Sequence, residues 1–323
     1  MTALPAFLRQ AVARYCAGVE TQGRSSRAAK LSEGYRAGAA SAGLIADKAD
    51  IAAYLTTRLP ATYAAAHAAL DQVAKRAPDF APKTVFDAGA GPGTASWAAV
   101  ETWPGIESVT MLDHNPHFLT AAQVLAEASP LSALAHAEMT AGEIARLTTS
   151  RQYDLVLAAY TFAELSEADA EECVSRLWAA CYGVLAIIEP GTPEGFARIL
   201  RCRNMLGGQN AAIAAPCPGY YPCPIVATDW CHFSVRLPRS RDHMRAKQAS
   251  VPYEDERFSY LAASRDPVAL APPSPRILAQ PQDEKSGMRL KLCTDGCIVG
   301  KSAPRREKAA YRALARKKWG DAL

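Results

Sequence analysis

Two groups of residues in this chain could do chemistry. In "VFDAGAGPGTASWAA", Asp87, Gly89, Gly91 and Gly93 stand in the order D-x-G-x-G-x-G, between a run that reads as a strand and one that reads as a helix. Glycines in such a turn let the backbone reverse and let a ligand approach with no Cβ in the way, while the following helix points its N-terminus at that ligand. A second apolar strand, "TMLDHNP", ends in Asp113, where a carboxylate can accept both ribose hydroxyls of a nucleoside cofactor. Dinucleotide sites leave the position ahead of the first glycine open. An acid there, Asp87, is the habit of S-adenosylmethionine (SAM) sites, where it can engage the methionine ammonium, and the motif is read as SAM-binding ahead of NAD-binding. Methyl transfer from the sulfonium asks mainly for alignment and exclusion of water. The stretch after the fourth strand, "AAYTFAEL", lacks both N/D-P-P-Y/F and a Pro-Cys nucleophile. Tyr160 and Glu164 are candidates for lining the pocket there, Tyr160 being counted with the cofactor site, and a plain sheet-capping role is the alternative for Tyr160. The catalytic residue is unknown.

The second group is "CPGYYPCPIVATDWC", in which Cys217, Cys223 and Cys231 are spaced C-x5-C-x7-C. The chain has nine cysteines and no secretory signal, so close-set thiols point to metal rather than disulfide. Paired C-x2-C knuckles typical of zinc are absent, and proline behind a ligand cysteine recurs in iron-sulfur proteins. On spacing alone zinc, [4Fe-4S] and no metal all stay open, and the C-x3-C-x2-C triplet of radical SAM enzymes is missing. Cys293 is the first candidate for a fourth ligand, Cys297 the second and Cys202 the third. Cys16, Cys173 and Cys181 fall in helical patterns and read as small buried hydrophobes. Directly after the trio, "HFSVRLPRSRDHMRAK" supplies Arg236, Arg239, Arg241, Arg245 and Lys247, expected as an exposed basic loop able to offset an anionic cluster or contact RNA phosphates.

The elements that must hold these groups follow from hydrophobic periodicity. Residues 1–80 read as a helical lobe, with "PAFLRQAVARYCAGV", "DKADIAAYLTTRL" and "PATYAAAHAALDQVAKR" repeating apolar residues at three and four. Residues 81–207 alternate strands ("TVFDAG", "SVTMLD", "SALAHAEM", "YDLVLAAY", "YGVLAIIEP") with helices near 94–102, 116–128, 167–181 and 193–206, the signature of a parallel α/β sheet covered on both faces. A final hairpin after five parallel strands would complete the class I SAM-dependent methyltransferase (Rossmann-like) fold. Residues 208–250 read as a Cys-rich insertion with the basic loop, and 251–323 as the last strands of the sheet ("RFSYLAAS", "MRLKLCTDGCIVGKS") followed by a basic tail.

At 323 residues and 49% hydrophobic content the chain can bury a full core, and no apolar run reaches the roughly 20 residues of a bilayer span. From Cys231 onward 19 Lys and Arg face 10 Asp and Glu, a balance of +9, which leaves −5 for residues 1–230 out of the total of +4. That asymmetry suits a polyanionic partner such as RNA. The opening "MTALPAFLRQAVARYCAGVE", with Arg9 and Arg14 and no acid before Glu20, reads as an amphipathic first helix, a mitochondrial presequence being the alternative.

Beyond these features, "LSEGYRAGAASAGLIADKADIAAYLTTRLPATYAA", "FDAGAGPGTASWAA", "IIEPGTPEGF", "CPGYYPCP" followed by "DWCHFSVRLPRSRDH", "YEDERFSYLAASR" and the terminal "KKWGDAL" resemble the methyltransferase-like small-ribosomal-subunit assembly proteins of mitochondria and bacteria. Bacterial members often have C-P-H where this chain has Cys217, Pro218 and Gly219. The resemblance implies a SAM-type Rossmann domain using Asp87, Gly89, Gly91, Gly93 and Asp113. It further implies a [4Fe-4S] cluster on Cys217, Cys223, Cys231 and Cys293, zinc remaining the alternative. The partners it implies are the small ribosomal subunit and its rRNA. We expect methyl transfer to that RNA, or a non-catalytic maturation factor on the same fold. The remaining expectations are a monomer without DNA or membrane partners, in the bacterial cytoplasm or, alternatively, the mitochondrial matrix.

Overall fold

The computed structural model describes the chain except residues 21, 37–40, 149 and 227, and except the side chains of residues 36 and 42. The helical and Cys-rich segments expected above therefore lie partly outside the described residues.

Helices α1 (Ala6–Ala17), α2 (Arg24–Arg36), α3 (Ser41–Leu44), α4 (Lys48–Thr57) and α5 (Leu59–Arg76) precede the sheet. The Asp47 side chain caps α4 by accepting from the Asp50 N–H, and Pro60 sits in the first turn of α5, where its missing N–H costs nothing. These helices are not a separate lobe. The apolar face of α5, including Tyr63, Leu70 and Val73, packs into one core cluster with Val85, Leu155 and Val184 of the sheet.

The central elements are β1 (Thr84–Ala88), α6 (Thr94–Thr102), β2 (Ser108–Asp113), α7 (Pro116–Glu127), α8 (Ser132–Ala135), β3 (Glu138–Ala141), β4 (Tyr153–Ala159), α9 (Glu167–Ala179), β5 (Cys181–Pro190) and α10 (Pro193–Gly208). They agree with the periodicity except at "SALAHAEM", which begins as the short helix α8. Its strand β3 is only four residues long and largely exposed, so no apolar alternation marks it.

After α10 come β6 (Ala212–Ala215), β7 (Phe233–Pro238), α11 (Arg241–Ala246) and β8 (Tyr253–Ser264). The large sheet runs β3-β2-β1-β4-β5-β8-β6, with β1 to β5 parallel and β8 antiparallel to both β5 and β6. This is the class I methyltransferase topology. Central side chains such as Val85, Leu155, Leu157, Val184 and Ile187 are fully buried, each contributing about 1.5–3 kcal/mol of transfer free energy.

Two expectations about organisation change here. Residues 208–250 are woven into the sheet, because β6 pairs with the C-terminal half of β8 and β7 with its N-terminal half. The second change concerns "MRLKLCTDGCIVGKS", which joins a different sheet. Strands β9 (Arg276–Ile277), β10 (Gln282–Glu284), β11 (Gly287–Thr294) and β12 (Cys297–Pro304) pair antiparallel as β10-β11-β12, with β9 also on β11, and α12 (Lys308–Ala315) closes a small core over Ile277, Met288, Leu290 and Leu292. Among the described residues no helix is long and apolar enough to cross a membrane.

Candidate functional site

The sheet order reverses between β1 and β4, and in open α/β sheets ligands bind at the carboxyl ends of the strands at that point. A cavity of about 370 Å³ lies there. Asp87, Gly89, Gly91, Asp113, Tyr160 and Glu164 all line it; Gly93, at φ +78°, caps the N-terminus of α6 behind them.

The turn after β1 is shaped by two glycines in the left-handed region. Gly89 (φ +72°) is so close to the neighbouring chain that a Cβ would come within 2.5 Å of Thr161 Cγ2, whereas a Cβ on Gly91 (φ +54°) would meet nothing within 4 Å and would stand in the cavity. Gly89→Ala is therefore expected to lower stability by more than the roughly 1–2 kcal/mol of left-handed strain. Gly91→Ala should show the strain alone and yet lose ligand affinity. Paired thermal melts and calorimetric titrations with SAM separate the two, and equal melting temperatures would contradict this assignment of the turn.

Two carboxylates face the cavity with different partners. Asp113 accepts from the Gly91 N–H (2.7 Å) and the Asn115 N–H (2.8 Å), which fixes the glycine turn against the end of β2; burial raises its carboxyl. Asp87 is fully buried and accepts from the Ser96 N–H (3.0 Å) and hydroxyl (2.7 Å) through Oδ2, while its Oδ1 has no partner among the described residues. Burial pushes the Asp87 carboxyl up to about 6, against the opposing pull of the Ser96 hydrogen bonds. A buried carboxylate oxygen left open asks for a cationic or protonated partner.

The other wall of the cavity was missed by sequence reasoning, because it comes from helices far away in the chain. Tyr54, Arg58 and Thr62 reach it from α4 and α5, and Ser41 from α3. There the polar groups satisfy one another. The Tyr160 hydroxyl donates to Glu256 Oε1 (3.0 Å), Arg58 lies 3.7 Å from the same oxygen, and the Ser41 N–H (3.0 Å) and hydroxyl (3.3 Å) donate to Glu164. Burial raises the Tyr160 hydroxyl well above its usual range and also raises the Glu164 carboxyl. Arg58, set directly ahead of "LP" in the apolar middle of the helical pair, was the one available signal.

Cys217, Cys223, Cys231 and Cys293 line a second, apolar cavity of about 40 Å³. Cys217 follows β6, Cys223 lies in the loop, Cys231 precedes β7, and Cys293 sits on β11 of the second sheet. Burial and the facing thiols of Cys217, Cys223 and Cys293 push the Cys231 thiol well up, and burial pushes that of Cys293 up to about 11. Of the other fourth-ligand candidates, Cys297 is exposed, and Cys202 is buried with Cys173 in a cluster against which Cys217 packs, but does not line the pocket. Among the described residues no group of three or more His, Cys, Asp or Glu is disposed to hold a metal ion. The donor set is nonetheless chemically suited to a thiolate-bound inorganic centre, since four sulfurs from separate segments share one enclosure. The block is tied down by the Trp230 Nε1–H donated to Gly191 O (3.0 Å) and by His232, whose ring contacts Trp230 (5.2 Å) and the terminal Trp319 (4.9 Å).

The expected basic loop is instead strand β7 and helix α11, and most of its charge is paired. Arg236 meets Asp255 (2.7 Å), Arg239 (3.3 Å) and Lys247 (2.5 Å) meet Glu254, and Arg245 lies 3.8 Å from Asp242. The β7–β8 register sets Arg236 opposite Asp255 and Leu237 opposite Glu254. Arg241 has no ion pair among the described residues, and neither do the exposed Lys301, Arg306, Lys308, Arg312, Arg316 and Lys318 of the terminal unit.

Among curated proteins, the chain is 27% identical over 285 residues to the human "Ribosome assembly protein METTL17, mitochondrial", covering 84% of this chain and 61% of that protein. It is 25% identical over 321 residues to "Rsm22-cox11 tandem protein 2, mitochondrial" of Schizosaccharomyces pombe, covering 84% and 42%. The chain thus spans less than two thirds of the length of either relative. Among solved structures, magnesium protoporphyrin IX methyltransferase from Synechocystis PCC 6803 with bound SAM matches at 18% identity over 60% of this chain and 74% of that one, with a TM-score of 0.37. The family model described as "Mitochondrial small ribosomal subunit Rsm22" matches residues 48–323, a span that holds the glycine turn and the cysteine block, and the chain belongs to the Rsm22 family.

Proposed function

We propose that this chain is a small-ribosomal-subunit assembly protein that binds SAM in the cavity at the ends of β1 and β4. The observation that carries the SAM reading is Asp87, whose buried and unpartnered Oδ1 suits the methionine ammonium, while Asp113 stands where the ribose hydroxyls would lie. Family membership supports the ribosomal role. Bound SAM would supply an activated methyl group. The protein's part would be to orient it and exclude water, with rRNA as acceptor.

A second reading, binding without turnover, is favoured by one observation: Tyr160, Arg58, Glu256, Glu164 and Ser41 are already engaged with one another on the acceptor side. Incubating the chain with methyl-labelled SAM and immature small subunits separates the two. Label retained on the RNA establishes transfer, and SAM binding without label establishes the non-catalytic factor.

We further propose that Cys217, Cys223, Cys231 and Cys293 hold a [4Fe-4S] cluster, zinc being the competing occupant. What supports this is the shared cavity and the family likeness, and iron and sulfide analysis of anaerobically purified protein decides it. RNA contact would fall to Arg241 and Arg245, to the outer edge of Arg236, and above all to the unpaired terminal cations. Lys308, Arg312 and Arg316 recur every four residues and so share one face along and just past α12. Replacing those three with Gln should weaken RNA binding and flatten the log–log salt dependence by about three units. An unchanged slope in filter-binding titrations would move the RNA surface elsewhere. The names of the curated relatives support the mitochondrial matrix as compartment and lend none to the bacterial cytoplasm.

A further inference from the structure

We infer that Arg203 and Arg276 are the counter-charges of the cysteine pocket, positioning residues that hold a dianionic, four-thiolate centre in place. The inference rests on the cluster reading above and adds to it two residues that no cysteine spacing reveals.

Both guanidiniums are buried, Arg203 at 5% and Arg276 at 4% exposure. An arginine side chain stays charged in proteins, and an unpaired buried charge is costly. Among the described residues neither has a carboxylate partner. Arg203, on α10, donates to the carbonyls of Gly219 and Tyr221 in the loop between Cys217 and Cys223, and its Nε has no partner. Arg276 donates to Pro216 O (2.7 Å), the carbonyl just before Cys217, to Gly320 O (2.8 Å), and to Gln72 of α5. On the β9–β11 ladder Arg276 is also the direct partner of Cys293.

Two permanent positive charges thus stand by the cysteine pocket, Arg203 in its lining and Arg276 next to Cys293 on the ladder, braced by carbonyl and amide oxygens and, for Arg203, by the Tyr220 ring at 5.0 Å. Four thiolates on a [4Fe-4S] core in its usual 2+ state carry a net charge of −2, and so do four thiolates on zinc. The site is therefore matched in charge to the loaded pocket. The expected basic segment at Arg236–Lys247 does not do this, because Arg236, Arg239 and Lys247 are spent on Asp255 and Glu254 and none of its cations lines the pocket.

The test compares the wild-type chain, purified anaerobically, with Arg203→Gln, Arg276→Gln, Arg203→Lys and Arg276→Lys. Iron and sulfide per chain, the half-life of iron under a chelator and the midpoint of one-electron reduction by dithionite are read for each. A Gln variant should lose iron about tenfold faster and reduce at a potential lower by about 59 mV, the one-electron equivalent of a tenfold shift. Each Lys variant, which keeps the charge and loses the fork, should stay near wild type. If a Gln variant is insoluble, the Lys variant decides, and a wild-type midpoint is required of it. Loaded wild type with Gln variants equal to it in half-life and midpoint overturns the counter-charge role and leaves the cluster standing. Lys variants as impaired as Gln variants overturn it too, since hydrogen bonding and not charge would then be what matters. Wild type that binds neither iron nor zinc overturns both readings together.

Discussion

If the four-cysteine pocket is loaded as proposed, Cys231→Ser is expected to abolish metal binding and to loosen the C-terminal third while the parallel sheet survives. Cys231 faces the other three sulfurs of the pocket and leads directly into β7, and its carbonyl accepts from the Ser259 hydroxyl of β8 at 2.7 Å. Its loss therefore weakens the join between the large sheet and the second sheet, whose Cys293 supplies the other side of the pocket, and leaves it to contacts such as Arg276–Pro216 and Lys291–Asp229. That second unit has a core of only a few side chains around Leu290 and Leu292. Metal binding contributes about 10–16 kcal/mol to the folding of the smallest metal-dependent domains, so a unit of this size should not stay ordered without its share. We expect iron content to fall to background, proteolysis to cut between β9 and α12, and the melt of residues 84–190 to change little. Cys297→Ser and Cys202→Ser should both keep iron, the first because Cys297 is exposed and the second because Cys202 packs with Cys173. Full iron content in Cys231→Ser would remove this residue from the ligand set.

The parts of this molecule that were legible in the sequence are those whose signals are local. Strands β1, β2, β4 and β5 are buried on both faces and read as short apolar runs; α6, α7, α9 and α10 fall within a few residues of their periodic patterns. The glycine turn and the cysteine trio were visible because their residue types are rare and their spacing is short. What was hidden depends on pairing between distant segments. Strand β6 is only four residues, three of them alanine, and β7 sits in a charged stretch; both are strands only because β8 runs past them. The charge on "RLPRSRDHMRAK" looks free until the register of β8 brings "YEDE" against it. Likewise the hairpin β11–β12 has ordinary strand composition, and nothing within it tells that its partners are β9 and β10 rather than β8. Arg203 and Arg276 look like surface residues in the sequence; their burial appears only when α10 and β9 meet the cysteine loop.

Asp87→Asn should make the ligand-free protein more stable at neutral pH and a worse binder of SAM. The folded Asp87 carboxyl titrates near 6, above its unfolded value, because burial disfavours the charge more than Ser96 favours it. The folded state then holds the proton more tightly than the unfolded one. Its stabilising share is complete below the unfolded value of about 4, declines up to about 6, and is absent above that. At pH 7.5 the ionised side chain is a liability of about 3 kcal/mol at most. Asparagine can still accept from the Ser96 N–H and hydroxyl, while the position of Oδ1 becomes a neutral group. Melts of the ligand-free variant should therefore lie above wild type at pH 7.5 and converge with it near pH 4. Binding should move the other way. An ammonium placed against Oδ1 needs the carboxylate charged, so wild-type affinity for SAM should rise as pH passes through 6. The variant should bind roughly ten- to a hundredfold more weakly and without that rise, as expected for loss of one charge-assisted hydrogen bond. Calorimetry at pH 5.5 and 7.5 checks both halves. A variant that is destabilised at pH 7.5 with unaltered affinity would mean that Asp87 serves the turn and not the ligand.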